Sequence, residues 1–418
     1  MRVLIVGGGL IGVTAAYFLK RRGCDVTVVE RQPGVARETS FANGGLLTAS
    51  MAEPWNAPGC WRVLLSSLGR SDAALQLRLR ALPSLMRWGI AFLRNSSPAL
   101  FEHSANTNLR LALDSLAVMD SLRRETGIEY GHAARGSLRI FRDPDKLHRA
   151  CAVAEQRAAQ GLGFRMLSAA ETAEVEPALA PIVGQLSGAL HYQADQTGDA
   201  YQFCVALAEH ARRQGVDFRF GAEISALELD SNRVTSVLLG QERLVADKYV
   251  IAAGSFSTQL LRQAGVALPM QPAKGYSITV QATSNDTALR IPVVDDELHA
   301  VIAPLGAAIR VAGTAEFAGF DPALPAARIH NLQRLLQAVL PQANFDRATL
   351  SQWCGLRAMS ADGVPIVGAT PVSNLFVSTG HGHLGWTLAA GSARLLADVM
   401  CGNATQSDTA PVALERFT

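Results

Sequence analysis

Apolar positions come in short unbroken runs near both ends of the chain and at helical spacing between them. Residues 3–6 (VLIV) form an apolar run of strand length, as expected of a parallel strand buried on both faces. Gly7-Gly8-Gly9-Leu10-Ile11-Gly12 interrupts it. Residues 13–22 then repeat apolar positions at helical spacing until Gly23 stops them. Residues 25–30 (DVTVVE) are a second β-rich run, so the start of the chain predicts a complete βαβ unit.

Further along, the two periodicities alternate. Helical spacing covers 61–101, 109–126, 147–160, 201–215, 329–340 and 388–400. Strand-like runs lie at 137–141, in the segments leading to Ala253, and at 277–280, 301–304, 309–313 and 375–378. This interleaving predicts an α/β or α+β protein without internal repeats.

Composition narrows the class. With 418 residues, 49% hydrophobic and 18% charged, the chain suits two or three globular domains and excludes a disordered or fibrous one. Lys and Arg number 38 against 36 Asp and Glu, which leaves no basic field for nucleic acid. The six cysteines show neither CxxC pairs nor zinc-ligand spacing, so no metal site is expected; they read as reduced thiols of a cytoplasmic protein. The glycines break the N-terminal apolar run and no Ala-x-Ala site follows it, unlike a signal peptide. No uncharged apolar stretch reaches the roughly 18 residues of a membrane span. One asymmetry stands out: Arg62, Arg70, Arg78, Arg80, Arg87 and Arg94 face only Asp72. That pattern fits an anionic lipid surface on the inner face of the cell membrane, or a solvated helical face.

The clearest chemistry lies in Gly7-x-Gly9-x-x-Gly12 between strand and helix. Gly7 permits the turn, Gly9 admits a pyrophosphate to the backbone, and Gly12 lets helix and strand pack closely. The helix N-terminus offers N–H groups and a positive dipole end to phosphates. Glu30 closes the second strand, where its carboxylate can accept from ribose hydroxyls and repel a 2′-phosphate. These features predict a dinucleotide site and leave NAD or FAD open. The loop Glu38-Thr39-Ser40-Phe41-Ala42-Asn43-Gly44-Gly45 could wrap a bulky flavin, or be an ordinary surface loop.

Four separated stretches resemble the FAD-dependent amine and amino-acid oxidoreductases of the D-amino-acid oxidase superfamily. They are VGGGLIG with Glu30; ETSFANGG (38–45) with PWNAPG (54–59); DQTGD (195–199) with VIAAGSFS (250–257); and WCGLRAMSADGVPIVG (353–368) with STGHGHLGWTLAAGS (378–392). LRRETGIEY (122–130) and KGYS (274–277) fit as well. Within the superfamily the pattern is most similar to the small subunits of bacterial D-amino-acid dehydrogenases. Dehydrogenases of D-hydroxyproline, opines and other secondary amines share the frame.

The resemblance implies a Rossmann-like FAD-binding domain with an inserted α+β substrate domain, whose sheet is mixed or antiparallel. The expected division gives 1–53, 185–262 and 340–418 to the first, and 54–184 and 263–339 to the second. It implies non-covalent FAD, with Gly7, Gly9 and Gly12 at the pyrophosphate and Glu30 and Arg31 at the adenosine ribose. Ser40, Asn43, Gly44, Gly45 and Leu46 would lie beside the ribityl chain and flavin ring. Ile224 would meet adenine, Ala253 and Gly254 would end a strand against the cofactor, and Gly382, Leu384, Gly385, Trp386 and Thr387 would form the last loop-to-helix junction. Arg357 matches the residue that binds a substrate carboxylate, and Tyr276 is a candidate second polar wall. The implied reaction is oxidation of a D-amino acid or cyclic imino acid, with a quinone or partner subunits as electron acceptor; an electron-relay subunit is the rival reading. Two departures are His383, where the pattern usually has a small hydroxylated residue, and MSADG in place of a proline-containing version. Cys354 stands one position before the place where some relatives attach flavin covalently, and reads as a small buried hydrophobe. His381 reads as structural or flavin-proximal.

Overall fold

The computed structural model describes residues 1–62, 75–281, 289–342 and 349–417. A six-stranded sheet runs in the order Ile366–Ala369, Leu375–Thr379, Lys248–Ile251, Arg2–Val6, Asp25–Val29 and Asp217–Arg219. All its pairings are parallel except that between Ile366–Ala369 and Leu375–Thr379. The apolar strand Arg2–Val6 is buried on both faces. Val3 and Ile5 pack into the core under the helices Leu10–Arg21, Pro98–Thr126, Ala200–Arg213 and Gly385–Cys401. Leu4 and Val6 face the other way, towards Leu227, Val234 and Val237 of a small antiparallel sheet at 226–244. This is the Rossmann-like half, built from both ends and a middle segment.

A nine-stranded mixed sheet forms the second half. It runs from Ser351–Ser360 through Met270–Gln281, Ala308–Phe317, Ala300–Leu305, Val293–Asp295, Ser137–Phe141 and Gly188–Tyr192 to Arg165–Leu167, with Leu75–Leu77 added beside Ala308–Phe317. Most pairings are antiparallel; Val293–Asp295 with Ser137–Phe141 and Ala308–Phe317 with Leu75–Leu77 are parallel. The helix Ala326–Val339 covers one face with Ile329, Leu332, Leu335 and Leu336. The helix Leu82–Arg94 covers part of the other, packing Leu85, Trp88 and Phe92 on Ala273, Phe317 and Met359.

Gly188–Tyr192 and Ser351–Ser360 were expected in the nucleotide-binding part, yet both belong to the second sheet. The first pairs with Ser137–Phe141, and the second pairs with Met270–Gln281 along ten register positions. The 61–101 stretch is not one helix. Among its described residues a strand at Leu75–Leu77 precedes the helix Leu82–Arg94, and a new helix begins at Pro98. Proline suits the first turn, where its missing N–H costs nothing. Arg70 and Asp72 lie outside the described residues.

Candidate active site

Both halves meet around one cavity of about 1400 Å³. Its nucleotide end grows from the glycine turn. Gly7 holds φ +110°, and a Cβ there would stand 2.6 Å from the Ala252 carbonyl oxygen. A Cβ on Gly12 would stand 1.8 Å from the Gly7 carbonyl oxygen, so only glycine lets the helix sit this close to the strand. Gly12 accordingly serves packing and does not line the cavity, whereas Gly7 and Gly9 do. The helix Leu10–Arg21 begins at Gly9 without a cap from that residue; the Leu10 N–H donates to Ser40 Oγ at 3.1 Å.

Glu30 lines the cavity and is 9% exposed. It accepts from the Gly8 N–H at 2.6 Å and the Gln32 N–H at 2.8 Å. Burial raises its pKa, opposed by those two hydrogen bonds. Arg31 donates to Glu38 at 2.7 Å and lies 3.9 Å over the Phe256 ring. Ile224 lines the same end, next to Ala222, whose N–H donates to the Glu30 carbonyl. Ala253 and Gly254 close the strand Lys248–Ile251 against it.

The loop 38–46 forms one wall. Ser40, Asn43, Gly44, Gly45 and Leu46 all line the cavity. Asn43 Oδ1 accepts from the Gly45 N–H at 3.0 Å, and the Asn43 carbonyl accepts from Arg310 at 3.4 Å. Arg310 also pairs with Asp199 at 3.4 Å, which caps the helix Ala200–Arg213. The buried pair therefore pins the loop to both halves. Facing it, Gly382, Leu384, Gly385 and Trp386 bring a second helix N-terminus, that of Gly385–Cys401, to the cavity. Thr387 does not reach it. Its hydroxyl accepts from the Thr48 N–H at 3.0 Å, one residue too far round the helix.

At the far end the strand Ser351–Ser360 presents Arg357. Its guanidinium lies against Gly275, where any Cβ would collide with it, and 5.5 Å from the Trp55 ring centre. It has no hydrogen-bond or ion-pair partner among the described residues, and Nη1 is enclosed. Burial lowers its pKa to about 10, so it remains a cation at neutral pH. His383 lines the same end, donates from Nε2 to the Met51 carbonyl at 2.9 Å, and stacks on Trp55. His381 is buried and bonded to Ser392 Oγ at 3.0 Å; burial pushes its pKa down to about 3.

Tyr276 lines the cavity as well. It alternates with Gly275, so its ring enters the helix-covered core beside Ile278 and its hydroxyl donates to Glu316. Burial, followed by the Glu316 contact, raises its pKa. Its hydroxyl proton is engaged by Glu316. Cys354 points the same way, its thiol 3.1 Å from the Pro322 carbonyl, and does not line the cavity. The sequence reading missed Trp55, Met51 and Phe256 as site residues; PWNAPG was the one signal for the first.

The sequence matches the FAD dependent oxidoreductase family over residues 2–399. The chain belongs to this family. FAD is thus the cofactor of this oxidoreductase, and the open glycine turn, Glu30 and the two helix N-termini fit a dinucleotide. The oxidoreductase is 42% identical to a D-amino acid dehydrogenase of Methylobacterium radiotolerans, over 100% of both chains. It is 40% identical to a D-amino acid dehydrogenase of Paramagnetospirillum magneticum, over 100% of this chain and 99% of that one. It also resembles the crystal structure of glycine oxidase from Geobacillus kaustophilus, with a TM-score of 0.76, 25% identity and coverage of 99% and 98%.

Proposed function

We propose that this oxidoreductase is a D-amino-acid dehydrogenase, oxidising the Cα–N bond to an imine that hydrolyses to a 2-oxo acid and ammonia. The observation that carries the reading is Arg357: a cation in the cavity wall, without an acid among the described residues to neutralise it. A carboxylate suits it, because a planar guanidinium gives two parallel charge-assisted hydrogen bonds. The name shared by the full-length relatives supports the same substrate class.

In this reading Gly7, Gly9 and the helix start at Leu10 hold the pyrophosphate, Glu30 accepts from the ribose, and the Ile224 backbone meets adenine. The 40–46 loop borders the flavin. The helix start at Gly385 would offer its positive end to negative charge on the flavin. FAD, when bound, supplies the hydride acceptor. Arg357 fixes the carboxylate and thereby aims the Cα–H, so positioning supplies much of the rate. The thiol of Cys354 faces away, which favours non-covalent FAD.

Electrons leave to a quinone or a partner subunit in this reading. No described helix is long and apolar enough to cross a membrane. A peripheral contact is supported by the exposed Leu82, Met86, Ile90 and Leu93, flanked by Arg80, Arg87 and Arg94. The test of function is anaerobic flavin bleaching with a panel of D- and L-amino acids that includes both hydroxyproline epimers. Bleaching by D-amino acids is expected. Bleaching by L-amino acids alone, or by none of the panel, overturns the reading.

A further inference from the structure

We propose that His383 accepts a hydrogen bond at Nδ1 from the substrate's amino group, fixing the nitrogen beside the carboxylate held by Arg357. This rests on the amino-acid reading above and names the residue that recognises the second polar group of that substrate.

The Met51 contact fixes the proton on the ring. A backbone carbonyl can only accept, so the contact with Met51 at 2.9 Å requires the proton to sit on Nε2. In the neutral ring Nδ1 is then a bare lone pair. Among the described residues no donor meets it, it is not enclosed, and the residue lines the cavity. The ring cannot turn freely, because it stacks on Trp55 with centroids 5.5 Å apart and planes 19° from parallel. The same indole carries the Arg357 guanidinium, also 5.5 Å from its centre. One tryptophan therefore contacts both the donor fork and the ring with the lone acceptor, and the Arg357 charge is felt at that ring. An α-amino acid carries the complementary pair, a carboxylate and an N–H, on adjacent atoms.

Charge agrees with geometry. Burial pushes the His383 pKa down to about 4; the Arg357 charge acts in the same direction, and the Met51 hydrogen bond opposes both. Ionisable groups in the wall near this end include Arg357, on the strand Ser351–Ser360, Glu53, from the loop that carries Trp55, Tyr276, whose pKa burial raises, and His381, which is itself held neutral. The imidazole is thus an uncharged acceptor across the physiological range. It acts as a positioning residue and takes no proton. A hydroxyl-bearing residue at this place, as the wider family pattern has, could also donate; a ring locked by Met51 can only accept at Nδ1.

The test uses FAD-loaded enzyme with D-alanine and with propionate, its counterpart without the amine. His383→Leu removes the acceptor and keeps apolar bulk; His383→Asn returns an oxygen near the δ position. Propionate binding, read from the flavin spectrum, should change by no more than about twofold in His383→Leu, while the limiting rate of anaerobic reduction by D-alanine falls about tenfold, as for loss of one hydrogen bond. His383→Asn should recover part of that rate. The wild-type limiting rate should show no imidazole inflection between about pH 5 and 8. An unchanged D-alanine rate in His383→Leu, a parallel loss of propionate and D-alanine, no recovery in His383→Asn, or such an inflection would each overturn the proposal. Failure of the wild type to bleach with any amino acid would instead overturn the substrate reading on which it rests.

Discussion

Arg357 shows how much one side chain can say. Buried cations are normally paired, since desolvation alone costs several kcal/mol. Here burial acts on the guanidinium, which keeps its charge and finds no acid among the described residues. Arg357→Ala should leave FAD bound but cost about 2–5 kcal/mol in kcat/KM for the amino acid, by analogy with truncating one partner of a buried pair. Arg357→Lys should recover only part, because an ammonium lacks the planar fork. Anaerobic stopped-flow reduction across substrate concentrations checks this; unchanged saturation and limiting rate would remove Arg357 from the site. Cys354 supports a second expectation at this scale. Its thiol approaches Pro322 and stays outside the cavity wall. Acid precipitation should therefore release all the flavin into the supernatant, and yellow protein in the pellet would contradict that.

At the scale of elements, the glycine turn separates two demands that one motif combines. Gly9 has an ordinary φ of −74°, and a Cβ there would meet only Ser40 Oγ at 3.6 Å while entering the cavity. Gly9→Ala should thus spare the apoprotein Tm and weaken FAD binding. Gly12→Ala should lower both, because its Cβ would drive the helix off the strand at a cost of about 1–3 kcal/mol or more. Thermal melts of apoprotein with flavin titrations distinguish the two. Asp195 joins other elements. It is fully buried and accepts from Ser50 on the cavity loop and from Ser137 on the second sheet. Burial raises its pKa to about 6 against these hydrogen bonds. An acid raised on folding favours the folded state below its unfolded pKa, and that contribution fades as pH rises through the folded value. The Tm of Asp195→Asn relative to wild type should therefore increase between about pH 4 and pH 6 and level off above it. A difference independent of pH would mean that Asp195 is ionised throughout.

For the whole molecule, the cavity borrows residues from both sheets, so cofactor binding and global stability are linked. A ligand that binds only the folded chain adds about 2.7 kcal/mol at a hundredfold excess over Kd. FAD should accordingly raise the Tm of the apoprotein, and Gly9→Ala should blunt the rise; an unchanged Tm would mean that FAD does not bind the folded chain in preference to the unfolded one. Local pattern was enough for the βαβ start, the glycine turn, the acid at Glu30 and the small-residue loop, because each depends on residues close in the chain. Separated motifs carried the family and its cofactor. The long strand Ser351–Ser360 and its pairing with Met270–Gln281 were not legible, since pairing across some eighty positions leaves no local period. Side-chain direction was not legible either. Along a strand successive residues face opposite sides, so a single step of parity sets Gly275 against the Arg357 guanidinium and turns the Tyr276 ring towards Ile278. On a helix one step moves Thr387 out of the site where Trp386 remains. What the chain order alone determined was the chemistry available: a dinucleotide turn, an arginine, a histidine. Only the tertiary structure decided which groups converge, because the stacking of His383 on Trp55 beside an unpaired Arg357 joins three segments far apart in the chain.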